Sequence, residues 1–344
     1  MPEDSKKSIC AIYVDMGTTN TRVWLMLGER VLVGSSEGFG VRNAAGEGGG
    51  QIRMALRDLI AKVRVSEPCP PEYVAAAGMI GSSLGLAEVP HVHPPVGLRE
   101  LMAGARWCHF PDVTEIPVLL VPGVRSGEAQ PTIEAAHDLD VMRGEETLCA
   151  GLVALGLVTP PCIVLNLGSH WKAIQLDQEG RIQSSITSLS GELIHAAQLH
   201  TLVASSVSSK RPQYLAQSWI EEGMKEQRKS GLGRAAFMLR LLDIAGQGTK
   251  EDRLAFLIGA FIASDLDALL ARGMLRRDLN VALVGAAALA EAWRSALTES
   301  AIHAKVISVA EAEKALLTAL RLILMESSKA IAANLATNRR TSSL

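Results

Sequence analysis

Residues 9–27 read Ile9-Cys10-Ala11-Ile12-Tyr13-Val14-Asp15-Met16-Gly17-Thr18-Thr19-Asn20-Thr21-Arg22-Val23-Trp24-Leu25-Met26-Leu27. Residues 162–176 repeat their order as Cys162-Ile163-Val164-Leu165-Asn166-Leu167-Gly168-Ser169-His170-Trp171-Lys172-Ala173-Ile174-Gln175-Leu176. Each copy is an apolar run, a polar residue, any residue, Gly and a hydroxyl, then a second apolar run. Short apolar runs bounded by turn residues predict strands, so each copy predicts a hairpin bending after Asp15 or Asn166. A third strand follows in both, after Gly28-Glu29 and after Glu179-Gly180. Turns need no such repetition. Two matched glycine bends facing one another would make a site for a polyphosphate.

Outward from the first hairpin, a Gly-rich stretch (46–50) precedes a helix with Ile52, Leu56, Leu59, Ile60 and Val63 on one face. Tyr73 to Ala77 predicts a strand ending at Gly78, residues 79–116 an irregular segment, and Pro117 to Val121 a further strand. A helix is expected from about Met142. The second hairpin is followed by a helix over about 191–203 and by extra helices within about 204–250. Leu254, Leu257, Ile258, Phe261, Ile262, Leu266 and Leu269 recur at helical spacing. Val281 to Val284 and Lys305 to Val309 predict strands, and Ala310 to Ala333 a last helix before a disordered tail from Thr337. The expected domains are 1–157 and 158–344. Hairpins followed by strand–helix alternation predict an α/β architecture: two domains, each a mixed five-stranded sheet flanked by helices, with a cleft between them. That plan resembles the duplicated ribonuclease H-like fold of the actin, Hsp70 and sugar kinase superfamily.

Composition agrees. A chain of 344 residues, 48% hydrophobic and 20% charged, suits two globular domains. A net charge of −2 argues against a general nucleic-acid surface, and Lys6-Lys7 reads as a solvated tail. The five cysteines are scattered without a C-x-x-C, which suits reduced thiols in a cytoplasm. The polar N-terminus shows no signal peptide. No membrane span is expected, because Ser264, Asp265 and Asp267 interrupt the longest apolar helix. A symmetric dimer is the default expectation.

The run from Asp15 to Arg22 carries the strongest chemical signal. Gly17 lets the backbone turn tightly and approach an anion. The amides of Gly17 to Thr19 and the hydroxyls of Thr18 and Thr19 are donors for phosphate oxygens. Asp15, at the end of a buried strand, suits hydrated Mg²⁺, which takes one or two carboxylates plus phosphates and waters. The alternative is a ligand-free Asp-Gly turn. In the second copy Gly168 and Ser169 offer a close backbone and a donor, while His170 and Lys172 offer charge for a transition state. The alternative for Lys172 is a solvent-facing residue on an edge strand.

Between the turns runs Asp138-Leu139-Asp140-Val141-Met142-Arg143-Gly144-Glu145-Glu146-Thr147. A kinase of a sugar hydroxyl needs a carboxylate to take the proton as oxygen attacks phosphorus. In this superfamily it belongs at the start of the helix leaving the first domain, where Asp140, Glu145 and Glu146 all lie. Asp140 is the first candidate and Glu145 the second. Acidic residues also favour a helix start for dipole reasons alone, worth ~0.3–1 kcal/mol each. Arg143 is a candidate clamp for a substrate carboxylate or an exposed cap. Gly285-Ala286 after a strand is consistent with close approach to adenine and ribose, though Gly-Ala runs are also common packing devices. His91 and His93 lack a third metal ligand and read as surface or substrate-loop residues.

Together these residues resemble the 2-dehydro-3-deoxygalactonokinase family of sugar-acid kinases. The family's D-W-G-T-T-N-x-R appears at 15–22, its D-V-M-R-G-E-E-T stands intact at 140–147, and its T-G-E-L appears as Ser190-Gly191-Glu192-Leu193 with His200 in step. Its substrate-side motif resembles Gly78-Met79-Ile80-Gly81-Ser82 followed by Glu88-Val89-Pro90, and Leu257-Ile258-Gly259 also fits. The likeness covers residues 10–295. Met16 stands where the family has Trp, Ser83 where it has Arg, and Trp171 where it has a small hydroxyl residue. The resemblance implies transfer of the γ-phosphate of ATP, with Mg²⁺, to the 6-hydroxyl of 2-dehydro-3-deoxy-galactonate. Phosphate contacts would come from Asp15, Gly17, Thr18, Thr19, Gly168, Ser169, His170 and Lys172, with Asp15 holding the metal through water. Adenosine would meet Gly285 and Ala286, and the sugar acid Gly81, Ser82, Arg143 and Arg22. Two rivals stand beside this reading: a kinase for a related sugar acid, and a non-catalytic sensor with Trp171 filling the second phosphate turn.

Overall fold

β1 (Cys10–Met16) buries six of its seven residues, and Asp15 is the half-exposed exception. A strand apolar on both faces belongs in mid-sheet with helices on either side. β1 accordingly pairs antiparallel with β2 (Thr21–Leu27) and parallel with β4 (Tyr73–Gly78). The computed structural model describes residues 8–41, 50–64, 69–128, 130 and 132–341. Lys6-Lys7, the glycines at 46, 48 and 49, and the chain end beyond Thr341 lie outside the described residues.

Two compact units form, one from residues 1–156 and 313–344, the other from 157–312. In the first, β3 (Arg30–Glu37), β2, β1, β4, β6 (Thr114–Leu120) and β5 (Arg106–Phe110) lie in that order in one sheet. α1 (Gly50–Arg64) buries Ile52, Leu56, Leu59, Ile60 and Val63, the face its spacing predicts. The sheet has six strands rather than the expected five. β5 falls in the segment read as irregular, together with α2 (Leu98–Gly104) and a 3₁₀ turn at Met79–Gly81. Its sequence, Arg-Trp-Cys-His-Phe, is an edge strand with one buried residue, so it carries no apolar run to read. β7 (Val124–Ser126) and β8 (Asp140–Met142) form a separate two-stranded ribbon ahead of α3 (Glu145–Ala154).

The second unit repeats the plan. β11 (Ile182–Ser188), β10 (Trp171–Leu176), β9 (Cys162–Leu167), β12 (Asn280–Gly285) and β13 (Ala304–Ile307) lie in that order. This is the order β3-β2-β1-β4-β6 of the first unit, with the same antiparallel pairs and the same parallel pairs. α4 (Ser190–His200) follows β11, α5 (Gln217–Ser230) and α6 (Leu232–Ile244) fill the expected insertion, and α7 (Lys250–Ala271) carries the predicted apolar stripe. By length and composition alone α7 could cross a membrane, contrary to the sequence reading, but 13 of its residues are buried, 11 of them in this unit's apolar core. α8 (Ala287–Glu299) lies between β12 and β13.

α9 (Val309–Thr341) corrects the expected boundary, since from Glu313 it belongs to the first unit. Gly151 of α3 has no side chain where Ala315 passes: a Cβ there would come 1.8 Å from the Ala315 carbonyl oxygen. Arg321 also binds Glu29 at 2.7 Å. Helix contacts of this kind leave no local sequence signal of the unit they serve. α9 also runs past Ala333, where the sequence reading ended it, to Thr341.

Candidate active site

The parallel register of β1 and β4 sets Asp15 opposite Ala77 and Met16 opposite Gly78, so both strands end on one edge. Ligands of α/β sheets bind at the carboxyl ends of strands. Arg22 faces Asp15 across the hairpin and donates to Asp15 Oδ2 from Nε at 3.2 Å and Nη2 at 2.6 Å, its guanidinium 5.4 Å above the Trp24 ring. Arg22, expected at the substrate, thus holds Asp15. Oδ1 of Asp15 lies beside Gly78 and Gly144, within 3.4 and 3.9 Å of where their Cβ atoms would be. Both glycines have positive φ, 87° and 112°, a region that L side chains avoid. A Cβ on Gly78 would also strike Met16 O at 2.3 Å. Two bare backbones therefore wall the Asp15 carboxylate.

Gly17 N donates to Asn20 O at 2.8 Å and closes the first turn. Its amide is thereby used, which corrects its expected role as a phosphate donor and leaves that to the neighbouring Thr18 and Thr19. Both are half-buried, and Thr19 Oγ1 accepts from Asn20 Nδ2 at 3.3 Å.

α3 starts at Glu145, not near Met142. Asp140 sits in β8 opposite Ser126 of β7, so it lies on the ribbon and not at the helix start where it was expected. Glu145 follows Gly144 directly and is half-buried. Glu146 is 1% exposed, and its two carboxylate oxygens accept from Gly144 N at 2.9 and 2.8 Å, with Thr147 Oγ1 adding 3.0 Å to Oε1. Burial, then the charge of Glu145, lifts the Glu146 carboxyl from 4.5 to about 7. The sequence places Glu146 among three acidic candidates; only the packing shows that it holds the Gly144 bend.

Arg143 is half-buried rather than an exposed cap. Nη2 donates to Val89 O at 2.7 Å and lies 3.4 Å from His91 Nδ1, while Nη1 is buried without a partner among the described residues, 3.4 Å from a Cβ position on Gly81. His91, read as a loop residue, therefore stands beside Arg143. Burial, followed by the Arg143 charge, lowers its pKa, which favours the neutral ring that can accept at Nδ1. Ser82 is buried, and its hydroxyl donates to Met79 O at 2.7 Å, so it closes a turn and offers a ligand only acceptor capacity.

In the second unit Gly168 and Ser169 form the bend between β9 and β10. His170 Nε2 lies 3.1 Å from Glu192 Oε2. Lys172 is 3% exposed and donates to Thr187 Oγ1, on a strand flanked by β9 and β11. The solvent-facing edge position considered for it is excluded. Trp171 is 2% exposed and meets Trp293 edge-on, with centroids 5.5 Å apart at 77°, inside the apolar core. It does not fill the turn, which removes the physical basis of the sensor rival. Gly285 ends β12 where a Cβ would come 2.8 Å from Leu167 Cβ, and Ala286 caps α8. Close strand packing accounts for that glycine by itself.

Comparison with known proteins gives the same assignment. A family model described as 2-keto-3-deoxy-galactonokinase matches residues 15–321. The 2-dehydro-3-deoxygalactonokinase of Escherichia coli (strain K12) is 25% identical over 290 residues, covering 83% of this chain and 88% of its own. A protein of Rhizobium meliloti (strain 1021) assigned as 2-dehydro-3-deoxygalactonokinase DgoK1 is 26% identical over 310 residues, covering 89% and 94%. The fold is shared with the crystal structure of a candidate 2-dehydro-3-deoxygalactonokinase from Sinorhizobium meliloti: TM-score 0.73, 23% identity, 91% of this chain and 96% of that one. With a match that takes in both glycine turns and the run between them, the chain belongs to the 2-keto-3-deoxy-galactonokinase family and is a sugar-acid kinase.

Proposed function

We propose that this kinase transfers the γ-phosphoryl group of ATP to the 6-hydroxyl of 2-dehydro-3-deoxy-galactonate. The observation that carries the reading is the Asp15 carboxylate at the strand ends, anchored by Arg22 on one oxygen and bordered by Gly78 and Gly144 on the other. The turn at Thr18-Thr19 and the turn at Gly168-Ser169 are each phosphate-binding elements for the nucleotide. His170 and the buried Lys172 belong to the second, and Gly285-Ala286 to the adenosine side.

Among the described residues no group of three or more His, Cys, Asp or Glu could hold a metal. One carboxylate oxygen free of Arg22 still fits Mg²⁺, which keeps several waters and takes substrate phosphates as ligands. Asp15 would hold it through water, and the ion would neutralise charge on the transferring phosphoryl group.

The sugar acid lies by Gly81 and Ser82. Its carboxylate supplies the acceptor that Arg143 Nη1 lacks, since a buried unpaired donor costs about 1–3 kcal/mol. Asp140 and Glu145 are the two candidates for accepting the hydroxyl proton. Glu145 adjoins Gly144, and so Asp15, more directly. The test is a coupled ADP-release assay with ATP, Mg²⁺ and a panel of 2-keto-3-deoxy acids. The galactonate epimer is expected to give the highest kcat/KM. A higher value for another epimer would replace the substrate, and no turnover with any of them would refute the reading.

A further inference from the structure

α4 starts directly against the second turn. A Cβ on Gly191 would come 2.4 Å from Gly168 O and 2.7 Å from Ser169 O, so helix and turn touch backbone to backbone. Glu192, one residue on, meets His170 at 3.1 Å. The first residue of that helix is tied down from α7: Ser190 Oγ donates to Asp265 Oδ2 at 2.8 Å. Ser188 Oγ lies 2.6 Å from Ser190 Oγ and accepts from Ser190 N at 3.1 Å.

Asp265 is an odd occupant of its place. Buried Ile262, Ala263, Leu266 and Leu269 surround it in sequence on α7, and Ser190 is 3% exposed. Among the described residues no cation forms a salt bridge with it, and burial raises its pKa against the two serine hydroxyls that lower it. Withdrawing an unpaired carboxylate from water destabilises the fold, so packing gives no reason for one here. A carboxylate does make a stronger, better-directed acceptor for Ser190 than a neutral group.

We propose that Asp265 is a positioning residue which, through Ser190, latches the first turn of α4 against Gly168 and Ser169 and so sets the shape of the second phosphate turn. It touches no substrate. The proposal rests on the phosphate-binding role of that turn, and Gly168→Asp, which sets a negative charge in the turn, tests the role separately.

Steady-state kinetics with ATP and sugar acid varied independently, plus melting temperatures, decide it for D265A, D265N, S190A and D265A/S190A. D265A and S190A are each expected to raise the KM for ATP about tenfold or more, the loss of one hydrogen bond to a charged group, with the KM for sugar acid unchanged. The double variant should do no worse than either single one, and D265N, which keeps an acceptor, should restore most of the ATP affinity. Should D265A fold poorly, S190A, which deletes one oxygen atom, carries the same test. The latch is overturned if these variants lower only the melting temperature, raise both KM values together, or add their effects. A normal KM for ATP in G168D overturns the phosphate role of the turn, and the latch with it.

Discussion

Glu146→Gln should make this protein progressively more stable than the wild type as pH rises from 5 to 8. The Glu146 carboxyl is held at about 7 in the folded chain, against 4.5 as its ordinary value. Between those two values the folded state keeps the proton and the unfolded state has lost it. Stability falls with pH wherever the folded state binds more protons, so this group removes stability as pH climbs from 4.5 through 7. At about 1.4 kcal/mol per pH unit the loss approaches roughly 3 kcal/mol above pH 7. Glutamine cannot ionise, so its stability lacks that slope. Gln also sets an NH₂ group where a carboxylate oxygen accepted from Gly144 N, which adds a pH-independent offset of about 1 kcal/mol against it. Urea unfolding of both proteins at half-unit pH steps measures the difference. The gap is expected to move by about 2–3 kcal/mol in favour of Gln, whatever its starting value. Parallel curves would mean that Glu146 is not desolvated and does not hold the Gly144 bend in the way described.

Asp15→Asn should lower kcat by about 100-fold or more while leaving the melting temperature near wild type; near-normal ADP release would contradict the role given to Asp15. Of Asp140→Asn and Glu145→Gln, the one that removes the proton acceptor should cost about 10²–10⁴ in kcat, and a small effect from both would place the base elsewhere. Trp171→Phe should destabilise the second unit by about 1–3 kcal/mol through lost packing on Trp293. The KM for ATP should stay as it is, and a large change would revive a role for Trp171 in the turn. ATP with Mg²⁺ should raise the melting temperature, because a ligand that binds only the folded state stabilises it. A rise with sugar acid and none with ATP and Mg²⁺ would favour a sensor.

Much of the scaffold was legible because it is built from local patterns. Apolar runs of four to six residues became β1, β2, β9 and β12, and the period of α1 and α7 marked their buried faces. β5, half exposed at a sheet edge, has no such pattern and was missed. The site divides the same way. Asp15 and the bends at 17–19 and 168–169 announce themselves by residue type. Nothing local says that Arg22 would hold Asp15, that Glu146 would turn inward to Gly144, or that Asp265 would reach Ser190.

Hydrophobic period and glycine placement act within a few residues, so the duplicated strand–turn–strand plan and the chemistry of its bends are written locally in the chain. Which polar atoms are already engaged is settled by long-range packing. It gave the Gly17 amide to Asn20, buried Lys172 and Trp171, moved Asp140 onto a ribbon and returned α9 to the first unit. Burial and hydrogen bonding join groups distant in sequence. A side chain's availability for chemistry depends on what the rest of the chain has packed around it.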